Sequence, residues 1–239
     1  MKYTSLLLLL AAFISISAAG QDKVVKDANA QERNVAAFHA ISIGGGIDLI
    51  LTQSSTIGVA VSANKTEDRD KIRTEVVNGV LKIYYDNGNN FWSWSNRKLR
   101  AYVSVKDIDG LSASGGSDVD INGTLTVAKL KLGLSGGSDF KGNVNVTDLD
   151  VDQSGGSDAN ISGRAINLTI DASGGSDFNG YELVSDICNA DCSGGSDIDI
   201  TVNKELTADA SGGSDIRYRG TGTVKKSGSS GGGSVKKRG

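Results

Sequence analysis

The chain has 239 residues, a formal net charge of −3 at pH 7, 32 glycines, no proline and one histidine, His39. The mildly acidic balance argues against a nucleic-acid partner, which selects a basic surface. A single histidine argues against a His-based triad or a multi-histidine metal site. Proline removes a backbone donor from any β ladder, so its absence favours a fold in which nearly every N–H takes part in sheet pairing.

Residues 1–20 predict a secretory signal peptide. Lys2 precedes an apolar run, Leu6 to Ile16, which is too short to cross a bilayer as a mature helix, and small residues follow it. We expect cleavage at the end of this segment, a flexible stretch over 21–34 and no membrane span in the mature chain. The protein is thus expected in the periplasm, at the cell surface or outside the cell.

Residues 35–108 predict the N-terminal strands of one domain that spans 35–220. Segments such as "FHAISIGGGIDLILTQ" and "IRTEVVNGVLKIYYDNG" alternate with the period of half-buried strands, and Asn78-Gly79 is a strong hairpin signal. "GGGID" at 44–48 reads as a degenerate copy of a motif that recurs later in the chain. We expect this region to cap one end of the domain.

The motif "SGGSD" recurs over residues 109–220, with its first serine at positions 114, 135, 154, 173, 193 and 211, and hence at intervals of 18–21 residues. Before each copy apolar and polar residues alternate, which is typical of a strand with one buried face. So short a unit cannot bury that face alone, and copies must stack. The pattern predicts an all-β, single-domain parallel β-solenoid, with rungs about 4.8 Å apart. A barrel or sandwich is the alternative, although its successive turns have no reason to share a sequence.

Residues 221–239 predict a flexible tail that is rich in glycine, serine and lysine. "SGGGS" at 230–234 keeps the spacing of the repeat, but Lys225, Ser227 and Ser229 stand where earlier copies have apolar residues. A frayed last rung is therefore the alternative to a tail.

The aspartates that end the motif should form a column about 4.8 Å apart; they are Asp118, Asp139, Asp158, Asp177, Asp197 and Asp215. One interpretation is turn capping, in which each carboxylate accepts backbone N–H groups. The other is a calcium column, with the cation held between carboxylates and carbonyls. The serine-flanked glycines could also form a nest of N–H groups for an anion, but no helix or lysine follows to support nucleotide binding.

Both tryptophans, Trp92 and Trp94, lie in the polar stretch "NNFWSWSN". Exposed, they could stack on a glycan or anchor an envelope or surface protein, since aromatic residues concentrate in binding hot spots. Alternatively, they fold back and plug one end of the solenoid.

The two cysteines, Cys188 and Cys192, stand on the inward positions of one predicted strand. Four residues of extended chain separate their Cα atoms by about 13 Å, which is too far for a disulfide bond. They are expected to be small buried residues.

Taken together, "FHAISIGGGIDLILTQ", "IRTEVVNGVLKIYY" and "YVSVKDIDGLSASGGSDV", followed by the glycine-serine repeats, resemble the head GIN domain of autotransporter adhesins over roughly residues 35–220. The resemblance implies a β-solenoid-like domain in bacterial envelope or secreted proteins and an adhesive role. It implies no established reaction and no site residues.

The sequence favours a non-enzymatic binding or scaffold module of adhesin type that needs no cofactor; calcium is the alternative. A polysaccharide lyase is the enzymatic alternative, but Arg164, Arg217 and Arg219 are scattered along the chain rather than gathered among unlike residues. A purely structural periplasmic protein is a third possibility. The pattern does not predict an oligomeric state.

Overall fold

The computed structural model describes residues 27–86, 88 and 97–239, and shows a parallel β-solenoid of about seven turns. The predicted signal peptide, 1–20, and both tryptophans, Trp92 and Trp94, lie outside the described residues. No helix in the described part of the chain has the length and apolar character needed to span a membrane. The one described helix is α1, Thr66–Arg69.

The strands fall into two groups along the chain. Short strands come first: β1 Gln31–Glu32, β2 Ala40–Ile43, β3 Ile47–Gln53, β4 Gly58–Ser62, β5 Ile72–Val77, β6 Val80–Tyr85, β7 Leu99–Val105 and β8 Gly110–Ala113. The repeats follow, with five long strands and three short ones: β9 Val119–Leu134, β10 Asp139–Gln153, β11 Asp158–Ala172, β12 Asp177–Cys192, β13 Asp197–Ala210, β14 Asp215–Arg219, β15 Thr223–Ser229 and β16 Ser234–Lys237.

The five long strands stack in parallel, β9 to β13, and pair equivalent residues of successive motifs. Asp139 aligns with Asp158, and Leu149 with Leu168. The predicted parallel solenoid is thus confirmed.

From β9 to β13 each rung of the repeat region is one long strand. In β10 the buried positions are Phe140, then Val144 and Val146, then Leu149, Val151 and Gln153. The buried residues have even numbers up to Val146 and odd numbers after it, so the strand bends there. The ladder of β12 with β13 shows register shifts at the corresponding bend. A bulge lets the strand bend without losing its ladder, so the corners carry no loop.

The core consists of columns of inward side chains, one residue per rung. In the column formed by the residue directly after each motif, large and small side chains alternate over three rungs. These residues, Phe140, Ala159 and Phe178, are all fully buried. The two phenyl rings occupy the space beside a glycine two residues later: a Cβ atom at Gly180 would lie 2.4 Å from the ring of Phe178. Where the column has alanine, isoleucine replaces that glycine, so each rung keeps a similar volume.

The N-terminal strands form the first rung and the cap. β2 and β3 pair in parallel with β8 and β9, which places the turn at 44–46 on the first full motif. The degenerate copy at 44–48 is therefore a true rung. Beyond it, β5 and β6 form a hairpin through Asn78-Gly79, both with positive φ, as the sequence predicted. β4 pairs antiparallel with β7, and β1 pairs antiparallel with β4. These two antiparallel pairs end the parallel stack.

Two segments expected to be flexible contain paired strands. In 21–34, β1 pairs with β4, and the Arg33 N–H donates to the Val59 carbonyl over 2.8 Å. In 221–239, β15 pairs with β13 and β16 pairs with β14. The tail prediction is corrected to its alternative, a last rung, because the glycine turn at 230–233 stacks on the motif before it and continues the ladder.

Candidate functional site

The SGGSD turns form one continuous hydrogen-bonded corner. The first glycine of each motif has positive φ, for example 84° at Gly174. The second glycine donates its N–H to the first glycine of the preceding rung, as Gly175 does to the Gly155 carbonyl over 2.8 Å. Two features favour glycine at the first position: the positive φ, and the close approach of its backbone to the rung below.

Alternate backbone donors at this corner, those of the first serine, the second glycine and the aspartate, are used by the ladder, so that two successive N–H groups are not both free. The first-serine N–H donates to the rung below, as Ser173 does to the Gln153 carbonyl over 3.0 Å, and the aspartate N–H does the same, as Asp177 does to the Ser157 carbonyl over 3.1 Å. An anion nest needs such donors free. The arrangement therefore gives the anion-binding interpretation no support.

The second serine of each motif points inward and is fully buried. In four motifs its hydroxyl donates to the carbonyl of the first serine in the same turn, as Ser176 does to Ser173 over 3.1 Å and Ser196 does to Ser193 over 3.0 Å. These bonds close the turn internally and stabilise the corner. The Ser157 hydroxyl is also buried but has no hydrogen-bond partner among the described residues.

The structure brings all six predicted aspartates into one column on the outer side of this corner, and Asp48 of the first rung extends it. We call these seven residues the motif-aspartate column. Burial, and then the charges of the neighbouring rungs, raise the pKa of Asp139 and of Asp177. The N–H groups of Asp158 and Asp197 offset part of this rise in pKa, while they donate to the carbonyls of Ser138 and Ser176 in the ladder.

Arg217 neutralises the C-terminal end of the column. Its guanidinium lies 3.0 Å from Asp197, 3.5 Å from Asp199 and 3.1 Å from Asp215. The Ser234 hydroxyl also donates to the Asp215 carboxylate, and this bond and then Arg217 lower the pKa of that group. At the other end, burial and the charge of Asp118 raise the pKa of Asp48. The column is thus compensated at one end and self-repelling along the rest.

No three His, Cys, Asp or Glu side chains within residues 27–86, 88 and 97–239 are arranged to hold a metal ion. Carboxylates stacked one per rung all point the same way from a flat ladder, whereas calcium needs six to eight oxygens around it. Turn capping by Asp139 and Asp177 stays a prediction, since the N–H groups beside their carboxylates, those of Asp158 and Asp197, donate to ladder carbonyls.

A second acidic column lies on the strand side of the same corner, two residues before each motif, and sequence reasoning gave it no role. It consists of Asp152, Asp171, Asp191 and Asp209, aligned in register. Burial, and then Asp191 and Asp152, raise the pKa of Asp171. Lys131 contacts one end of this column, 2.9 Å from Asp152. The recurrence of aspartate at one offset in four copies was the signal that could have identified it.

A shallow groove of about 700 Å³ runs between this second column and the first serines of the motifs. It extends from Ser112 to the rung of Asp209 and Ser211, which is about 24 Å at the spacing of a β ladder. We call it the acidic groove. It presents carboxylates and serines at regular intervals and only one nearby cation, Lys131, among the described residues that line or border it.

The three arginines of the enzymatic alternative have different partners. Arg164 lies 3.1 Å from Asp186. Arg217 and Arg219 both lie on β14: Arg217 contacts Asp197, Asp199 and Asp215, and Arg219 stacks 4.0 Å above the ring of Tyr181. The partner of Arg164 is therefore separate from those of the other two arginines.

Both cysteines are buried and free, in the inward columns where they were predicted. Burial raises the pKa of the Cys188 thiol, and raises that of Cys192 to about 11. The Cys192 thiol donates to the Ser196 carbonyl over 3.0 Å. Such thiols are protonated at neutral pH and act as packing groups.

Solved structures share this fold. A "putative adhesin" from Bacteroides fragilis NCTC 9343 is 20% identical with a TM-score of 0.80, and covers 87% of this chain and 96% of its own. A "putative adhesin" from Parabacteroides distasonis ATCC 8503 is 22% identical with a TM-score of 0.69, at coverages of 87% and 96%. A "putative lipid binding protein" from the same strain is 18% identical with a TM-score of 0.61, at coverages of 88% and 96%.

Among functionally curated proteins none matches the sequence. The family described as "Putative auto-transporter adhesin, head GIN domain" matches residues 37–222, which include every full SGGSD motif and nearly all of the solenoid. The match ends just before the last rung, which begins with β15 at Thr223. The chain therefore belongs to the family described as "Putative auto-transporter adhesin, head GIN domain".

Proposed function

We propose that this protein is a non-enzymatic, adhesin-like binding module of the bacterial envelope or surface, and that the acidic groove is its contact surface. The family's description supports an adhesive role, and two of the similar structures carry the same description. An adhesin meets a large repetitive surface rather than a single small substrate. A groove that repeats one set of side chains over several rungs suits such a partner.

The observation that carries this proposal is the regular row of carboxylates along the acidic groove. The pKa of Asp171 is raised, which means that the environment of the folded protein disfavours its negative charge. Binding of a cation beside it would therefore be favourable. Repeated weak contacts along one axis also add through effective concentration. The partner that fits is a polymer with repeated amino groups, such as a glycan that contains free amino sugars.

The binding experiment compares a polyglucosamine with neutral dextran as immobilised ligands. We expect retention on the polyglucosamine that falls steeply with salt, since exposed charges are screened. Asp171→Asn together with Asp191→Asn should weaken it severalfold. The matched control, Glu67→Gln with Asp107→Asn, removes two exposed carboxylates outside the groove and should not. Equal loss in both variants would show a general charge effect and overturn the assignment of the groove.

The location experiment treats intact cells with added protease. An adhesin of the cell surface is degraded, whereas a protein retained in the periplasm is protected until the outer membrane is opened. Protection in intact cells would contradict a surface adhesin and favour the structural periplasmic alternative.

The lyase alternative is tested separately by incubation with acidic polysaccharides. The proposal expects no unsaturated products. Their appearance would overturn the non-enzymatic assignment, whatever the result of the binding experiment.

A further inference from the structure

The last rung of the solenoid consists of β15 and β16, joined by the turn at 230–233. β15 pairs with β13 and β16 with β14, and no strand among residues 27–86, 88 and 97–239 pairs with the outer edge of either. An unpaired strand edge presents free N–H and C=O groups to another chain. This is the surface where a second copy could add its own rungs.

Lysine is concentrated on both strands of this edge. Each carries an adjacent pair, Lys225 and Lys226 on β15 and Lys236 and Lys237 on β16, and all four are exposed. The three rungs before it have uncharged residues in the column of Lys226, namely Thr169, Asn189 and Thr207. Lysine on an edge strand opposes pairing with another chain, because the ammonium groups would have to be desolvated and brought together.

One of these lysines stands in a core column. Lys237 aligns with Tyr218, which aligns with the fully buried Ile200. Serines take two further inward positions: Ser227 aligns with Ala208 and Ser229 with Ala210. A copy stacked on this edge would have to bury the Lys237 ammonium group against its own apolar column, which is costly without a partner charge.

The edge strand β15 also contains a bulge. Val224 aligns with Leu206 and Lys226 with Thr207, so Lys225 has no partner residue in the ladder. Its ammonium group instead lies 3.4 Å from Glu205 of the preceding rung. A bulge twists an edge strand and breaks the regular spacing that a new strand would need.

We propose that the last rung is an assembly stop, which prevents a second copy of this chain from adding to the solenoid end to end. Edge lysines, a charged residue in a core column and a bulge are three different obstacles, and all of them coincide on this rung. The preceding rungs place apolar side chains in the columns of Lys237, Ser227 and Ser229, namely Ile200, Ala208 and Ala210. Without the obstacles of the last rung, the stack would be open at this end.

The test combines Lys225→Thr, Lys226→Thr, Lys236→Thr and Lys237→Val. The wild-type chain is expected to stay monomeric by light scattering as its concentration is raised. The variant is expected to self-associate through this edge, with a weight-average mass that approaches twice that of the monomer and end-to-end pairs in electron micrographs. Because the variant loses four positive charges from an acidic chain, general repulsion should rise, and association against that trend points to the edge itself.

The matched control removes the same charge from exposed lysines elsewhere, through Lys82→Thr, Lys106→Thr, Lys129→Thr and Lys141→Thr, and should stay monomeric. Self-association of the control, a folded variant that stays monomeric, or end-to-end assembly of the wild type would each overturn the proposal. If the fourfold variant does not fold, Lys237→Val alone restores the apolar column and is expected to show weaker but concentration-dependent association. A monomeric, folded Lys237→Val would then count against the proposal.

Discussion

A Cβ atom at Gly174 would lie 2.7 Å from the carbonyl oxygen of Gly155, the first glycine of the rung below. The same relationship recurs at 2.8 Å between Gly155 and Gly136, so the corner is a stack of backbones without room for a side chain. At the next position the constraint is relaxed: a Cβ atom at Gly175 would lie 3.9 Å from the Gly155 carbonyl. Two adjacent glycines of one motif therefore differ in how much they are needed.

Gly174→Ala is expected to lower the free energy of unfolding by about 2–3 kcal/mol, because the residue has positive φ and its new methyl group would clash with backbone. Gly175→Ala is the matched control, at negative φ and in ordinary contact, and should change stability by less than about 0.5 kcal/mol. Urea denaturation measures both. Equal effects of the two substitutions would contradict the stacked geometry of the corner.

The pairing of Phe178 with Gly180 predicts a compensating double substitution. Phe178→Ala leaves a cavity in the core column and should cost about 3–5 kcal/mol, while Gly180→Ala pushes a methyl group into the ring and should cost about 1–3 kcal/mol. Phe178→Ala with Gly180→Ile reproduces the Ala159 and Ile161 pair of the preceding rung. We expect that double variant to be more stable than Phe178→Ala alone, and thermal unfolding would show whether it is.

The motif-aspartate column predicts a gain of stability when a charge is removed. The pKa of Asp177 is raised, chiefly by burial and then by Asp158 and Asp197. A carboxyl with a higher pKa in the folded than in the unfolded chain destabilises the fold above that pKa, and the cost disappears as the pH falls and the group is protonated. Asp177→Asn should therefore raise the free energy of unfolding at pH 7 by less than about 1 kcal/mol, and the gain should vanish near pH 3, below the ordinary pKa of about 3.9.

Asp215→Asn, in the same column, is expected to change the free energy of unfolding in the opposite direction. The Ser234 hydroxyl and Arg217 lower the pKa of Asp215, so its charge stabilises the fold above the ordinary pKa of aspartate and this contribution is lost as the pH falls. The substitution should lower stability at pH 7 and have little effect near pH 3. Denaturation at the two pH values separates the pair, and a gain at both aspartates would contradict the role assigned to Arg217.

Calcium titration tests the alternative role of the column. With carboxylates that do not converge on a cation, millimolar calcium should leave the melting temperature unchanged apart from the general effect of ionic strength, for which magnesium is the control. A saturable rise specific to calcium, and abolished by Asp158→Asn, would instead establish the calcium column.

Trp92 and Trp94 stay a prediction, since both lie outside the described residues. Replacement of both by alanine distinguishes their two roles. Loss of glycan or surface binding at unchanged melting temperature would assign them to recognition, whereas a lower melting temperature with intact binding would assign them to packing.

The repeat made the solenoid predictable because its spacing is a property of the chain itself. Six copies of one turn at intervals of 18–21 residues leave few folds open, and the alternation before each copy identifies the buried columns. The bends inside a rung were harder to predict from the sequence. After Val146 the inward parity changes without any glycine or proline to mark it, so the alternation looked like the end of one strand and the start of another.

The electrostatics of the corner depend on register, which no single repeat reveals. Arg217 compensates carboxylates on two rungs, Asp197 and Asp215, and their proximity follows only once the strands are stacked. The last rung was misread for a related reason. "SGGGS" keeps the turn, but Lys237 and Ser227 occupy core columns, so the hydrophobic signal of a strand is absent although its ladder is present.

The hydrogen bonds that run through the glycine corner also have a mechanical consequence. The turns are hydrogen-bonded to the neighbouring turns as the strands are to the neighbouring strands. The hydrogen bonds between two rungs therefore continue from the strands through this corner. The N–H···O bonds of a ladder point from rung to rung, so tension along the axis would load all the bonds of one interface together, whereas a pull on one strand end would break them in sequence. A head domain tethered along its axis would therefore resist flow far better than one peeled from its end.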